Sequence, residues 1–133
     1  MAKTTPETQA YMKRAYEMLE VAQYNLDDGY NHTAVNRAYY AVFNAANALL
    51  ATKGLTRSKH SGVISAFRQH FIKTGEIEAE YGRIFGQLLD DRNISDYVIV
   101  EELESQQATL DLNEAKRFVE RVAVYLQAES ENE

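Results

Sequence analysis

The stretch AVNRAYYAVFNAANALL, which runs from Ala34 to Leu50, decides the fold of this chain. Its apolar residues recur at alternating spacings of three and four, the period of one face of an α-helix. They form two neighbouring stripes, namely Val35, Ala38, Val42, Ala45 and Leu49, and Tyr39, Phe43, Ala46 and Leu50. A helix that is apolar around most of its circumference must be covered on several sides. We therefore predict that this helix lies at the centre of a helical bundle.

Polar side chains interrupt the apolar surface of the central helix at four positions. They are Asn36, Arg37, Asn44 and Asn47. A buried amide or guanidinium group is costly unless it is hydrogen-bonded. Each of these side chains is therefore predicted to meet a partner from another helix or to face a wet cleft.

Start and stop signals place another helix before the central one. Thr5 is the predicted N-cap of this first helix, Pro6 suits its first turn, and Gly29 ends it. Asn31 is the predicted N-cap of the central helix, which Gly54 ends. Because very few residues join the two helices, we expect them to be antiparallel neighbours.

The second half of the chain predicts three more helices. A third helix ends near Gly75, and a fourth runs from about Glu76 to Tyr97, weakened by its two glycines. The last begins at Asp111, with Glu114 three residues later as its capping partner. A β-branched run at 98–100 is predicted to be an extended connection, because an isolated strand would have no pairing partner.

These elements predict an all-α fold, an antiparallel up-and-down helical bundle of four to five helices. The length of 133 residues suits a single domain over 1–133, whose acidic tail at 127–133 is predicted to fray. No apolar run approaches the ~18 residues that cross a bilayer, and no signal peptide opens the chain. We therefore expect a cytoplasmic protein that has no contact with membranes.

Metal and cofactor chemistry find little support in the sequence. The chain has no cysteine, and its three histidines lack the i, i+4 spacing of a helical metal site, so neither a metal nor a cofactor is expected. The carboxylate pairs at 27–28 and 90–91 are predicted to be helix-end charges and solvated faces, not acid/base pairs.

The charge distribution leaves two interpretations open. The net charge of −6 argues against a broad grip on nucleic acid, yet 53–75 holds five basic residues, two histidines and no acid. This segment is either a solvated surface that happens to be basic or a local phosphate-binding patch. Within it, Lys59 and His60 stand at the predicted start of the third helix, where free N–H groups and the helix dipole favour an anion.

The segment DDRNISDY, residues 90–97, carries the most suggestive arginine. On a helix Arg92 and Asp96 are four residues apart and face the same side. The guanidinium group either pairs with Asp96, which would only tidy the helix end, or is available to grip a phosphate.

In the order of its motifs the chain resembles the HEPN family, and it is similar to the small stand-alone prokaryotic HEPN proteins. The motifs are AVNRAYYAVFNAANALL, SKHSGVISAFRQHF and DDRNISDY, and the resemblance extends from about Gln9 to Leu126. It implies a bundle of four or five helices that usually forms a symmetric dimer. It also implies, for many members, a metal-independent endoribonuclease site in a cleft at the dimer interface. Some members are toxins paired with a minimal nucleotidyltransferase that acts as antitoxin.

The catalytic signature that the resemblance implies is incomplete here. It is an arginine followed, after four to six intervening residues, by a histidine. Arg92 matches the arginine, but Tyr97, Val98 and Ile99 stand where the histidine is expected. An imidazole exchanges protons near neutral pH, whereas a tyrosine, with an ordinary pKa of about 10, is a poor base there.

We therefore predict a dimeric HEPN-type protein that binds RNA or a nucleotide phosphate in a cleft, beside a partner nucleotidyltransferase. The candidate binding residues are Arg92, Asn36, Lys59 and His60. Whether the protein is an enzyme stays open: a ribonuclease would use Arg92 with Asp96, Tyr97 or His60, and a purely binding version would not cleave. The alternative from another class is a non-catalytic helical module for dimerisation or partner docking.

Overall fold

The computed structural model describes residues 4–55, 60–97 and 105–131, and these fold into five α-helices without a strand. The helices are α1 (Pro6–Asp27), α2 (Asn31–Thr52), α3 (His60–Phe67), α4 (Ala79–Tyr97) and α5 (Ser105–Glu131). A π-helical segment, Arg68–Ile72, continues α3. The description leaves out the side chains at 60–61 and 95–97. The predicted all-α helical bundle is confirmed.

The α2 helix is the central element of the bundle, as its apolar pattern predicts. It packs against α1, α3, α4 and α5. Leu49 and Leu50 are fully buried, and so are the small residues Ala38, Ala41 and Ala45, which let neighbouring helices approach closely. A helix covered on this many sides needs apolar residues around most of its circumference, which explains the double stripe in its sequence.

The α1 and α5 helices run in opposite directions along the bundle. At one end of the bundle the hydroxyl groups of Thr4 and Ser130 lie 2.7 Å apart, and further along Lys116 Nζ donates to Gln23 Oε1 at 3.1 Å. Contacts between α1 and α5 therefore pair the beginning of one helix with the end of the other.

The helix boundaries agree with the sequence signals at the start of α1 and disagree at the start of α2. Thr5 Oγ1 accepts a hydrogen bond from the Thr8 N–H at 3.2 Å, so the predicted cap is confirmed. Asn31, in contrast, is already the first helical residue, and the N-cap position belongs to Tyr30, which makes no side-chain capping bond. Gly29 adopts a φ of 83° before this start, a conformation that favours glycine.

The start predicted for α5 is too late in the chain, and the start predicted for α4 is too early. The α5 helix begins at Ser105, so the prediction of Asp111 as its N-cap is wrong: Asp111 lies inside the helix and is 3% exposed. Its carboxyl group serves a contact between helices instead of a helix end. The α4 helix begins at Ala79, three residues after the predicted start at Glu76, whose side chain accepts hydrogen bonds from Lys53 and Tyr125. The connection predicted at 98–100 lies outside the described residues.

An aromatic cluster joins α2 to the other side of the bundle. Phe118 of α5 packs on Phe67 and Phe85, with ring centroids 5.3 and 5.8 Å apart, and Phe85 continues to Tyr39 of α2 at 6.1 Å. All four rings are at most 1% exposed. Rings packed in this way fix the rotation of α2, and they therefore fix where its tyrosines meet α4.

Candidate functional site

Arg92 of α4 lies against two consecutive tyrosines of α2. Its Cζ atom is 5.5 Å from the ring centroid of Tyr39 and 5.5 Å from that of Tyr40. Its Nη2 group also reaches the Tyr40 hydroxyl at 3.5 Å, which is a long hydrogen bond. Cation–π contacts of this kind restrict the position of a guanidinium group. The structure therefore holds Arg92 in a defined position on an aromatic support.

The two tyrosines differ in exposure and therefore in what they can do. Tyr39 is fully buried, and burial raises its pKa to about 12, although the nearby Arg92 charge opposes the rise. Tyr39 consequently stays neutral at physiological pH and serves as a packing surface. Tyr40 and Arg92 are only partly buried, so both reach the surface of the molecule. A ligand that approaches this surface would meet the Tyr40 ring and the guanidinium group together.

Asn36, a predicted binding residue, lies one helical turn before Tyr40 on α2. Residues four apart share a helix face, so Asn36 and Tyr40 point to the same side of α2. Arg37 Nη1 donates to Asn36 Oδ1 at 2.9 Å, which places a second guanidinium group on this part of the helix. The structure thus groups Arg92, Tyr40, Asn36 and Arg37 around one partly exposed area, which we call the arginine–tyrosine surface.

The other predicted site residues lie outside the described structure in whole or in part. Lys59 falls in the segment 56–59, which the structure does not describe. His60 is the first residue of α3, and Asp96 and Tyr97 are the last two of α4, but nothing is described of their side chains. The pairing of Arg92 with Asp96 and the catalytic roles suggested for these residues therefore stay predictions.

The basic stretch at 53–75 is not a continuous patch in the described structure. Lys53 Nζ donates to Glu76 Oε1 at 2.6 Å and to the His70 carbonyl oxygen at 2.7 Å. Arg68 Nη2 donates to the Gly82 carbonyl oxygen at 3.0 Å. Two of the five basic side chains are thus used to hold α2, the π-helical segment and α4 together.

Sequence analysis missed the tyrosines as partners of Arg92. The only signal was the pair Tyr39–Tyr40 in the apolar surface of α2, and such a pair is equally suited to packing. Asp91 is 8% exposed and packs towards α5, so the prediction of a solvated charge at a helix end is wrong for this residue. Within the described ranges, no group of three His, Cys, Asp or Glu side chains has the arrangement of a metal site.

Comparison with known proteins identifies the class of this helical bundle. The HEPN domain model matches residues 8–127, and the chain belongs to the HEPN family. A Thermotoga maritima protein named "UPF0332 protein" is 38% identical over 112 residues, which cover 84% of this chain and 85% of that protein. The suspected resemblance is therefore confirmed.

Two further relatives come from Methanocaldococcus jannaschii, and both are named "Putative toxin". One is 39% identical over 116 residues, which cover 87% of this chain and 86% of that protein. The other is 30% identical over 120 residues, with coverages of 90% and 82%. Among the helices of the described residues, none is long and apolar enough to cross a membrane.

Proposed function

We propose that this protein binds phosphate groups of RNA or of a nucleotide at the arginine–tyrosine surface. The observation that carries the proposal is the position of Arg92, partly exposed and supported on the rings of Tyr39 and Tyr40. A planar guanidinium group offers paired N–H donors that match two phosphate oxygens. The partly exposed Tyr40 ring adds a surface on which a base can stack, a contact that tolerates any base.

We also propose that two copies of the chain form the binding cleft and that the protein acts as the toxin of a toxin–antitoxin pair. Family membership and the toxin names of two relatives support the biological role. A minimal nucleotidyltransferase is the proposed antitoxin. Tyr24 and Tyr30 are 61% and 63% exposed, and exposed aromatic side chains of this kind are enriched at protein interfaces.

Cleavage of RNA is the stronger version of the proposal, and binding without cleavage is the weaker one. The stronger version needs a group that takes the proton of the attacking 2′-hydroxyl. Asp96 and Tyr97 are the candidates nearest to Arg92 in sequence, and neither is the histidine that usually supplies this chemistry. Incubating RNA with the purified protein in the presence of EDTA tests metal-independent cleavage, and Asp96→Asn would abolish cleavage while sparing binding if Asp96 is the base.

The binding proposal is tested by titrating a fluorescently labelled single-stranded RNA against wild type, Arg92→Ala and Arg92→Lys at low salt. Arg92→Ala should weaken binding at least tenfold, and Arg92→Lys should restore little, because lysine lacks the planar fork. Arg83→Ala is the matched control. Arg83 is an exposed arginine nine residues earlier on α4, which places it on the opposite face of the helix.

Thermal denaturation accompanies each titration, because Arg92 also contacts two rings of the core. Loss of these contacts should cost about 1 kcal/mol, which leaves the variant folded at the assay temperature. Equal RNA affinities of wild type and folded Arg92→Ala would refute binding at Arg92. If Arg92→Ala and Arg83→Ala lose the same RNA affinity, the loss comes from the change in net charge and not from a site at Arg92.

A non-catalytic interaction module is the second candidate, and the exposed tyrosines favour it. Under this alternative, Tyr24→Ser and Tyr30→Ser would weaken self-association in sedimentation experiments, whereas Arg92→Ala would leave growth and RNA unchanged on overexpression. Growth arrest that requires Arg92 would exclude it.

A further inference from the structure

A buried pair of aspartates lies between α4 and α5. Asp91 is 8% exposed and Asp111 is 3% exposed. Gln107 Nε2 donates to Asp91 Oδ2 at 3.2 Å and to Asp111 Oδ1 at 3.1 Å, so one amide group bridges the two carboxyl groups. Gln87 Nε2 donates to Asp91 Oδ1 at 3.0 Å. Both acidic groups have therefore exchanged most of their hydration for contacts with two glutamines.

The hydrogen-bond donors around the two aspartates are too few for two ionised carboxylates. Asp111 Oδ2 is buried and accepts no hydrogen bond within the described structure. An ionised carboxylate only accepts hydrogen bonds, and two of them side by side in a buried site repel each other. A protonated Asp111 removes both difficulties, because its hydroxyl group donates to Asp91. Burial and the adjacent Asp91 raise the pKa of Asp111 to about 8.

We propose that Asp91 and Asp111 share one proton at neutral pH and that this proton clamps the second half of α4 onto α5. The proton is bound as Asp111–COOH donating to the Asp91 carboxylate, and its release to water leaves two carboxylates in one buried site. A cavity of about 180 Å³ adjoins the pair and is lined by Arg83, Ile84, Gln87, Leu88, Asp111 and Glu114. Because the exposed Arg83 is among its lining residues, the cavity gives the proton a route to solvent.

The charges around the pair act in opposite directions. Glu114 of α5 lines the same cavity and favours the protonated form, whereas Arg83 of α4 favours the ionised form. Two other helices pack on α5. The α2 helix contains no acidic residue and carries His32 and Arg37 in its first two turns, and α1 meets α5 through Gln23, which accepts from Lys116. Asp91 is therefore the charge that dominates the environment of Asp111.

The sign of the pH dependence follows from proton linkage. An unfolded chain releases the Asp111 proton around pH 4, whereas the folded protein keeps it up to about pH 8. The folded state binds more protons than the unfolded state between these values, so stability falls as pH rises through the window. Asn at position 111 carries a permanent donor in place of the proton and removes this slope.

The proposal is tested by melting wild type, Asp111→Asn and Asp90→Asn between pH 5 and pH 9. Asp90 is the exposed neighbour of Asp91 on α4 and provides the same change of charge outside the pair. The melting temperature of wild type and Asp90→Asn should fall in parallel as pH rises. The profile of Asp111→Asn should be flatter, and this variant should be the most stable of the three at pH 9.

A direct titration keeps the test valid if Asp111→Asn does not fold. The side-chain carboxyl carbon of Asp111, followed by NMR in the wild-type protein, should titrate within about one unit of pH 8. Titration near the ordinary aspartate pKa, or a wild-type slope in Asp111→Asn, would overturn the proposal. A melting temperature at pH 9 that rises with Mg²⁺ and falls with EDTA would overturn it as well, because the pair would then bind a cation.

Discussion

Alanine in place of Gly82 should stabilise this protein, although the residue is buried in the fold. Gly82 has an ordinary helical φ, and a Cβ atom added to it would lie 3.4 Å from Ile72 Cγ1 and 3.7 Å from Ile72 Cδ1. These are normal van der Waals distances, so a methyl group fits without displacing its neighbours. Replacing glycine by alanine inside a helix is worth about 1 kcal/mol. For a domain of this size the melting temperature should rise by roughly 3–5 °C.

Gly86→Ala is the matched control, because it makes the same change one turn later on the same helix. Its Cβ atom would lie 2.6 Å from Arg68 Nη2, closer than any tolerated contact. The guanidinium group must swing away, and it would lose its hydrogen bond to the Gly82 carbonyl oxygen. Such a bond contributes about 0.5–1.5 kcal/mol, which offsets the helical gain and leaves a net change near zero.

Urea denaturation of both variants, and of each combined with Arg68→Ala, separates the two effects. The difference between the glycine variants should disappear once Arg68 is removed, since the helical gain alone remains. A Gly82→Ala variant that loses more than about 1 kcal/mol would refute the reasoning, because the site would then have no room for a methyl group.

Two further predictions concern the core and its edge. Leu49→Ala should lower the free energy of unfolding by about 2–5 kcal/mol in urea denaturation, because Leu49 is fully buried at the centre of the bundle, and a loss below about half a kcal/mol would contradict its central position. Glu76→Gln should reduce the loss of stability in acid. Partial burial opposes the ionisation of Glu76, but hydrogen bonds from Lys53, Tyr125 and Thr74 lower its pKa overall. The ionised carboxylate therefore stabilises the fold fully above its unfolded pKa, and this stabilisation is lost as pH falls through the folded pKa. Unchanged pH–melting profiles between pH 2 and pH 6 would contradict this second prediction.

Local signals in the sequence predicted the helices, and tertiary contacts decided where the predictions failed. Thr5, Pro6 and Gly29 act through the backbone around them, so their roles are readable from sequence. Asp111 has the residue type and spacing of an N-cap, yet the helix begins at Ser105, and the Asp111 carboxyl group lies beside Asp91 of α4. The π-helical segment was not predicted either, and it involves a tertiary contact, because its His70 carbonyl oxygen accepts a hydrogen bond from Lys53, the residue after α2.

In the candidate site, too, one part was predictable from local sequence and the other part depends on tertiary contacts. Arg92 was found from its motif and from the resemblance to the HEPN family, which is a property of sequence. Its support on Tyr39 and Tyr40 depends on the register between α2 and α4, and the hydrogen-bonded residues are separated by 52 positions in the chain. No local pattern encodes that register, because it is set by the packing of Phe85 and its neighbours in the core.

The α4 helix connects the proposed phosphate binding with the proposed aspartate pair, because two consecutive residues of α4 contact different neighbouring helices. Asp91 bonds towards α5, and Arg92 contacts the tyrosines of α2. The two proposals are therefore tested together by measuring RNA binding between pH 5 and pH 9. If RNA affinity falls over that range in wild type and stays constant in Asp111→Asn, the change comes from the α4–α5 contact. If both proteins lose affinity equally, a different group titrates at the arginine–tyrosine surface, and the aspartate pair acts on stability alone.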